Sequence, residues 1–230
     1  LQTVKKTRIH LEGANIMSNL YNEISTALQD GKTKTVAELV EKAIADDLPT
    51  EAILKQGLLA GMEIISVQFQ AGEVYVPEVM VSARAMNAGA ALLKPLLAEA
   101  GVTAAGKVLI GTVKGDLHDI GKNLVKLMME GKGLEVIDLG VDVSAEQFLA
   151  AQREHNADAI ALSALLTTTM QEMKNVINAF TEAGLRNDMI ILVGGAPISE
   201  SFKNEIGADI YTPDAASAAA ACKAAILARK

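Results

Sequence analysis

Asp116 and His118 stand two residues apart within Gly115-Asp116-Leu117-His118-Asp119-Ile120-Gly121, a pattern suited to holding a metal through a single imidazole. One ring nitrogen can bind the metal while the carboxylate takes the proton on the other, which fixes the tautomer and strengthens the ring as a donor. Taken alone, His118 could equally be a polar histidine satisfied by its neighbours. Two further groups of chemically capable residues stand later in the chain: Ser163 and Leu165 with the hydroxyl run Thr167-Thr168-Thr169, and Gly194-Gly195-Ala196-Pro197. Each has a plainer use. Ser163 could cap locally, the threonines could cap the next helix, and the glycines could make only a tight turn. Of the other histidines, His155 reads as surface helix and His10 lies in the leading segment; neither is given a role.

The elements that must position these groups follow from the rhythm of the chain past Gly101. Apolar runs at Lys107–Val113, Leu134–Leu139, Ala157–Leu162, Met189–Val193 and Asp209–Tyr211 alternate with helical patterns. The helices fall near Asp119–Glu130, Ser144–Glu154, Thr168–Ala183, Ser199–Ile206 and Asp214–Ala228. Strands so uniformly apolar are covered on both faces, which predicts a five-stranded parallel sheet in a doubly wound domain. Ligands of such sheets lie beyond the carboxyl ends of the strands, near the point where strand order reverses. In the flavodoxin-like order 2-1-3-4-5, strands one, three and four are neighbours. Their ends carry the three groups above, so one cleft could use all of them.

Between Leu20 and Ala100 the apolar period is three and four, in stripes such as Leu20, Ile24, Ala27, Leu28 and Val36, Leu39, Val40, Ala43, Ile44. A third stripe is Leu54, Leu58, Gly61, Met62, Ile65, Phe69, and a fourth is Val76, Val79, Met80, Ala83, Met86, Ala90, Leu93, Leu97. Four helices with short connections predict a small bundle, with Pro77 in the first turn of the last. The expected division is a helical domain over 17–100, a linker over 101–106 and an α/β domain over 107–230. Residues 1–16 show no clear pattern before Met17 and are expected to be a tag or upstream extension.

The 230 residues carry a net charge of −7 without a basic block, which argues against nucleic acid as a partner. No apolar run is long enough for a membrane span, and no secretory pattern opens the chain. The single cysteine, Cys222, excludes an internal disulfide and fits a reducing, cytoplasmic setting; it reads as a buried small hydrophobe.

Four ligand classes compete for the cleft. A nucleotide would require a Gly-x-Gly-x-x-Gly or Gly-Lys-Ser/Thr loop after strand one, and neither is present. A receiver-type phosphoacceptor requires an aspartate where Ser163 stands. Gly-Asp-Leu-His is similar to the opening of metallophosphoesterase motifs, but two metals need several more ligands than three histidines offer. What remains is a metal cofactor that brings its own equatorial ligands and needs one axial imidazole.

Asp116-x-His118-x-x-Gly121, Ser163-x-Leu165 and Gly194-Gly195 resemble the three-part signature of the cobalamin-binding domain of methionine synthase, base-off mutases and corrinoid methyltransferase proteins. Val74-Tyr75-Val76-Pro77-Glu78-Val79-Met80, followed by Ser82-Ala83-Arg84-Ala85-Met86, resembles the last helix of the bundle that caps methylcobalamin.

The resemblance implies a corrinoid protein whose cobalamin is bound base-off, with His118 as the cobalt ligand and Asp116 and a hydroxyl on Thr169 completing a relay. Gly115, Leu117, Asp119, Ile120 and Gly121 would form the loop under the macrocycle. Gly194 and Gly195, with Ser163 and Thr167, would line a slot for the displaced nucleotide tail, and Leu165 and Ala196 would also contact the cofactor. Tyr75, Val76 and Met80 would cover the methyl face, and the 101–106 linker would act as a hinge.

The implied function is a methyl carrier without catalysis of its own. It would be loaded from a methylamine, methanol or phenyl methyl ether by one partner methyltransferase. A second partner would pass the methyl group to tetrahydrofolate or a thiol, and a reductive activase is implied as a further partner. The small subunit of an adenosylcobalamin mutase and a cobalamin sensor or store are the alternatives.

Overall fold

The protein is described by a computed structural model over residues 19–230; the leading segment and His10 lie outside the described residues. It divides into two compact units between Thr103 and Ala104.

The first unit is helical: α1 (residues 19–29), α2 (Thr33–Ala45), a continuous third helix α3, and α4 (Val76–Glu99). The stripe of α1 is buried as expected, with Ile24 and Leu28 wholly enclosed; in α2 Val36, Val40 and Ala43 are buried, while Leu39 and Ile44 are half-buried. In α3, Thr50–Ala52 and Ala60–Ala71 flank a π-helical stretch, Ile53–Leu59. That wider turn changes the phase of the buried face. Ile53 and Leu58, five residues apart, are both fully buried, while Leu54, expected on the stripe, is partly exposed. The fourth stripe is also corrected at one position: Val79, Ala83, Met86 and Leu93 are buried, but Met80 is 46% exposed. α4 starts as its sequence requires, with Pro77 at its second residue and the Glu78 carboxylate accepting the Tyr75 N–H at 3.1 Å.

The second unit is a five-stranded parallel sheet in the order β2-β1-β3-β4-β5, the order expected. The strands are β1 (Lys107–Thr112), β2 (Glu135–Asp138), β3 (Ala159–Ser163), β4 (Ile190–Gly194) and β5 (Ile210–Tyr211). The helices are α5 (Ile120–Gly131), α6 (Ala145–His155), α7 (Met170–Glu182), α8 (Glu200–Ile206) and α9 (Ala215–Arg229), and a 3₁₀ turn at Arg186–Asp188 leads into β4.

Side-chain alternation splits each central strand between two cores. Leu109, Ile160, Leu162, Ile191 and Val193 pack against Phe148 of α6 and Met173, Val176 and Phe180 of α7. The alternate residues Val108, Ile110, Ala161 and Leu192 are buried too, which is why the strands read as continuous apolar runs. Cys222 of α9 is fully buried and its thiol is pushed up to about 12, by burial first and by the Asp158 charge second, so it stays a neutral packing group.

Candidate functional site

In the central register, Thr112 at the end of β1 stands beside Ser163, and Ser163 beside Gly194. Parallel pairing therefore brings all three sequence groups to one edge of the sheet. Past β1 the chain turns at Gly115, whose φ of +78° is the left-handed conformation that glycine adopts without strain. Asp116 comes next and is fully buried.

A buried carboxylate is tolerated when its oxygens are fully engaged. Oδ1 accepts the backbone N–H of His118 at 3.1 Å and lies 2.7 Å from the ring nitrogen Nδ1. Oδ2 accepts the N–H groups of Leu165 and Leu166, at 2.8 and 3.2 Å, and the Thr169 hydroxyl at 2.7 Å. Burial opposes ionisation, but the Leu165 N–H, the His118 ring and amide and the Thr169 hydroxyl outweigh it and hold the carboxyl well below the usual carboxylate range. An ionised Asp116 requires a proton on Nδ1, and in the neutral imidazole that leaves the lone pair on Nε2. The His118 side chain is half exposed, so this nitrogen is open to a ligand.

Thr169 settles a choice the sequence left open. It occupies the N-cap of α7 without capping it; its hydroxyl instead meets Asp116 and, at 2.9 Å, the Leu166 carbonyl. Asp119, at the N-cap of α5, likewise makes no cap and accepts the Asn123 amide at 3.1 Å. Gly195 has an internal reason to be glycine. A Cβ there would sit 1.8 Å from the Ala164 carbonyl oxygen, and its φ is +134°. Gly194 is different: a Cβ would meet nothing within 4 Å, so its bare backbone faces open space. Ser163 is half-buried, and Thr167 and Ala196 are exposed.

Around the imidazole lie large apolar side chains with little cover: Leu117 and Ile120 are 71% and 77% exposed, and Leu165 is 41% exposed. Apolar surface of this kind marks a place that something covers. Gly121 adds no side chain to it. Tyr75, Val76 and Met80 belong to the helical unit, at the start of α4; Tyr75 and Met80 are exposed and Val76 is half-buried.

Three supporting residues escaped the sequence reading. The fully buried Thr112 donates its hydroxyl to the His118 carbonyl at 2.8 Å. Asp142, from the β2–α6 connection, accepts the Gly115 N–H at 2.7 Å. Lys122, almost wholly buried, reaches Asp138 at 2.6 Å and Asn123 Oδ1 at 2.8 Å, tying the first turn of α5 to the end of β2. Thr112 left a faint signal, a polar residue ending an apolar run. The other two left none, because a surface-type residue in sequence does not announce a distant partner.

Among the described residues, no group of three or more His, Cys, Asp and Glu side chains is gathered to hold a metal ion. The site thus offers a metal one imidazole and no ligand cage. Two family descriptions of B12 binding domains match the chain, one over residues 106–223 and one over residues 20–94. The dimethylamine corrinoid protein of Methanosarcina barkeri is 43% identical over 205 residues, covering 89% of this chain and 96% of that protein.

This chain belongs to the corrinoid proteins of methyltransferase systems.

A second corrinoid protein, from Desulfitobacterium hafniense, is 43% identical over 197 residues, 84% of this chain and 91% of its own length. The solved methanol:cobalamin methyltransferase complex MtaBC of Methanosarcina barkeri contains a chain that superposes with a TM-score of 0.82 at 31% identity, over 90% of this chain and 80% of that one. A solved cobalamin-binding protein of Desulfitobacterium hafniense gives a TM-score of 0.71 at 30% identity, over 89% of this chain and 97% of that one.

The residues of this corrinoid protein fit the cofactor class. A corrin is a flat, largely apolar ring around cobalt, and the α/β unit presents a fixed imidazole within an apolar surround and an open backbone at Gly194. No helix among the described residues is long and apolar enough to cross a membrane.

Proposed function

We propose that this corrinoid methyl carrier binds its cobalamin base-off, with Nε2 of His118 as the lower axial ligand. The observation that carries the reading is the 2.7 Å bond from Nδ1 to a buried, ionised Asp116 on a ring that is otherwise half exposed. When bound, the corrinoid supplies a cobalt centre able to take up and give away a methyl group. The chain's own residues hold it and set its environment. Asp116 keeps the Nδ1 proton in place and raises the donor strength of Nε2, and Thr169 holds the second carboxylate oxygen. Leu117, Ile120 and Leu165 give the ring an apolar bed, with Gly115, Asp119 and Gly121 shaping the loop beneath it.

The displaced nucleotide tail runs beside Gly194, Gly195 and Ala196, with Ser163 and Thr167 supplying hydroxyls. Open space at Gly194 supports this placement. Tyr75, Val76 and Met80 form the cover of the methyl side, excluding water from a reactive bond. The exposure of two large side chains, Tyr75 and Met80, at the start of α4 supports that assignment. Residues 101–106 act as the hinge that lets the cover move.

The protein works in the cytoplasm between two partners, a substrate-specific methyltransferase and an acceptor methyltransferase that passes the methyl group to tetrahydrofolate or a thiol. A reductive activase restores the low-valent cobalt. Similarity to proteins named for dimethylamine favours a methylamine as donor, and the likeness to a chain of a methanol methyltransferase complex supports a docked donor-side partner.

The test is electron paramagnetic resonance of the protein loaded with cob(II)alamin, with and without ¹⁵N-histidine. The expected result is a nitrogen superhyperfine triplet that becomes a doublet on labelling and vanishes in His118→Ala. A pattern unmoved by labelling, or a cofactor still holding its own benzimidazole, overturns the proposal.

A further inference from the structure

The β2–α6 connection touches the His118 loop by a pair of reciprocal hydrogen bonds. Asp142 accepts the Gly115 N–H through its carboxylate at 2.7 Å, and its own N–H donates to the Asp116 carbonyl at 3.0 Å. One residue further on, Val143 bridges in parallel to Val113 and donates its N–H to the Thr112 carbonyl at 2.9 Å. The two connections therefore run side by side past the end of the sheet, and Asp142 grips the backbone of the two residues that precede Leu117 and His118.

Asp142 makes this contact from a left-handed backbone, φ +54°, which is costly for most side chains and easier for Asp and Asn. The strained conformation is what aims both its carboxylate and its N–H at the neighbouring loop. Gly115 is itself left-handed at φ +78°. A loop turning on a glycine has many conformations open to it, so an acceptor that fixes the glycine N–H removes freedom from the residues just after the turn. The side-chain contacts of Asp116 set which way the imidazole points; the Asp142 contact sets where the loop carrying both residues lies.

We infer that Asp142 is a positioning residue for the axial imidazole, acting through the Gly115–Asp116 backbone. Its hydrogen bonds run to that backbone, and it acts on the ring through it. The inference rests on His118 being the cobalt ligand.

Two substitutions separate the acceptor from the backbone strain. Asp142→Gly is at ease at positive φ and removes only the acceptor; Asp142→Asn keeps both the left-handed preference and an acceptor oxygen. For each variant, aquocobalamin affinity is measured by equilibrium filtration, the cob(II)alamin spectrum is recorded with ¹⁵N-histidine, and thermal unfolding of the cofactor-free protein is followed. Asp142→Gly is expected to bind about fivefold more weakly, the size of one net hydrogen bond. Its spectrum should show a mixture of imidazole-bound and imidazole-free cobalt, and Asp142→Asn should restore the wild-type signal.

Wild-type affinity and spectrum in Asp142→Gly overturn the inference. So does a fall in thermal stability with an unchanged spectrum, or a failure of Asp142→Asn to rescue. A wild-type protein without imidazole ligation would instead overturn the cofactor reading on which the inference rests.

Discussion

Asp116 is the residue on which the site's electrostatics turn. Its side chain is enclosed, and its oxygens receive the His118 ring and amide, two backbone N–H groups and a hydroxyl. Replacing the carboxylate by an amide points an N–H₂ group at donors that now meet an oxygen, of which only the Thr169 hydroxyl has a second acceptor at hand, the Leu166 carbonyl. Asp116→Asn is therefore expected to cost about 2 kcal/mol in urea unfolding at neutral pH. The pH dependence follows from the direction of the shift. The carboxyl is held below its ordinary range in the fold, so its contribution is complete above roughly pH 4 and is lost as pH falls through its lower folded value. The gap between wild type and Asp116→Asn should be constant from neutral pH down to about 4 and narrow below it. A gap that widens on acidification would contradict this assignment.

The residue scale is also where sequence was most and least informative. Asp116 and His118 are legible because a two-residue spacing lets one ring and one carboxylate meet locally, as they do at 2.7 Å. Thr169 was legible only through resemblance, since it reaches Asp116 across 53 positions. Thr112 showed only as a polar residue ending an apolar run, and Asp142 and Lys122 were not legible at all: their partners stand 27 and 16 positions away and are brought up by the pairing of β1 with β2, which nothing in local composition encodes.

At the scale of elements, the strand ends and the helix starts were readable because apolar runs and caps are local patterns. The π-helical stretch was not, because a 3.6-residue period was assumed throughout and the buried pair Ile53 and Leu58 obeys a wider one. The double glycine after β4 shows a finer limit. Both glycines suit one motif, yet the fold uses them differently. Gly195 lets the β4–α8 connection pass against the Ala164 carbonyl, whereas Gly194 faces open space. Gly195→Ala should therefore unfold the α/β unit or destabilise it by upwards of about 3 kcal/mol, through both the clash and the backbone angle. Gly194→Ala should change stability by less than about 0.5 kcal/mol and yet reduce uptake of cobalamin, as a methyl group enters the proposed tail slot. Circular dichroism melts and equilibrium filtration of aquocobalamin on both variants would separate the two roles.

At the scale of the whole molecule, the chain is two compact units of different architecture. The change of apolar period past Gly101 made that division visible in the sequence, because helices and two-sided strands bury side chains at different intervals. The α/β unit carries the imidazole, the relay and the open backbone at Gly194, so the groups assigned to the lower side of the cofactor belong to one rigid sheet and its loops. The loop that carries the imidazole is pinned to that sheet through Thr112 and Asp142, so strand register and loop contacts together hold the site.

The relay also has a kinetic consequence. Every strand of this sheet pairs in parallel, and Asp116 completes its bonds only when the chain at Leu165 to Thr169, some fifty positions later, has arrived. The imidazole is aimed only once these distant segments have met, so added cobalamin is expected not to speed its assembly. Stopped-flow refolding from urea should be slow, roughly seconds rather than milliseconds, with a rate indifferent to added vitamin. Colour uptake should trail recovery of native fluorescence from the three tyrosines rather than precede it.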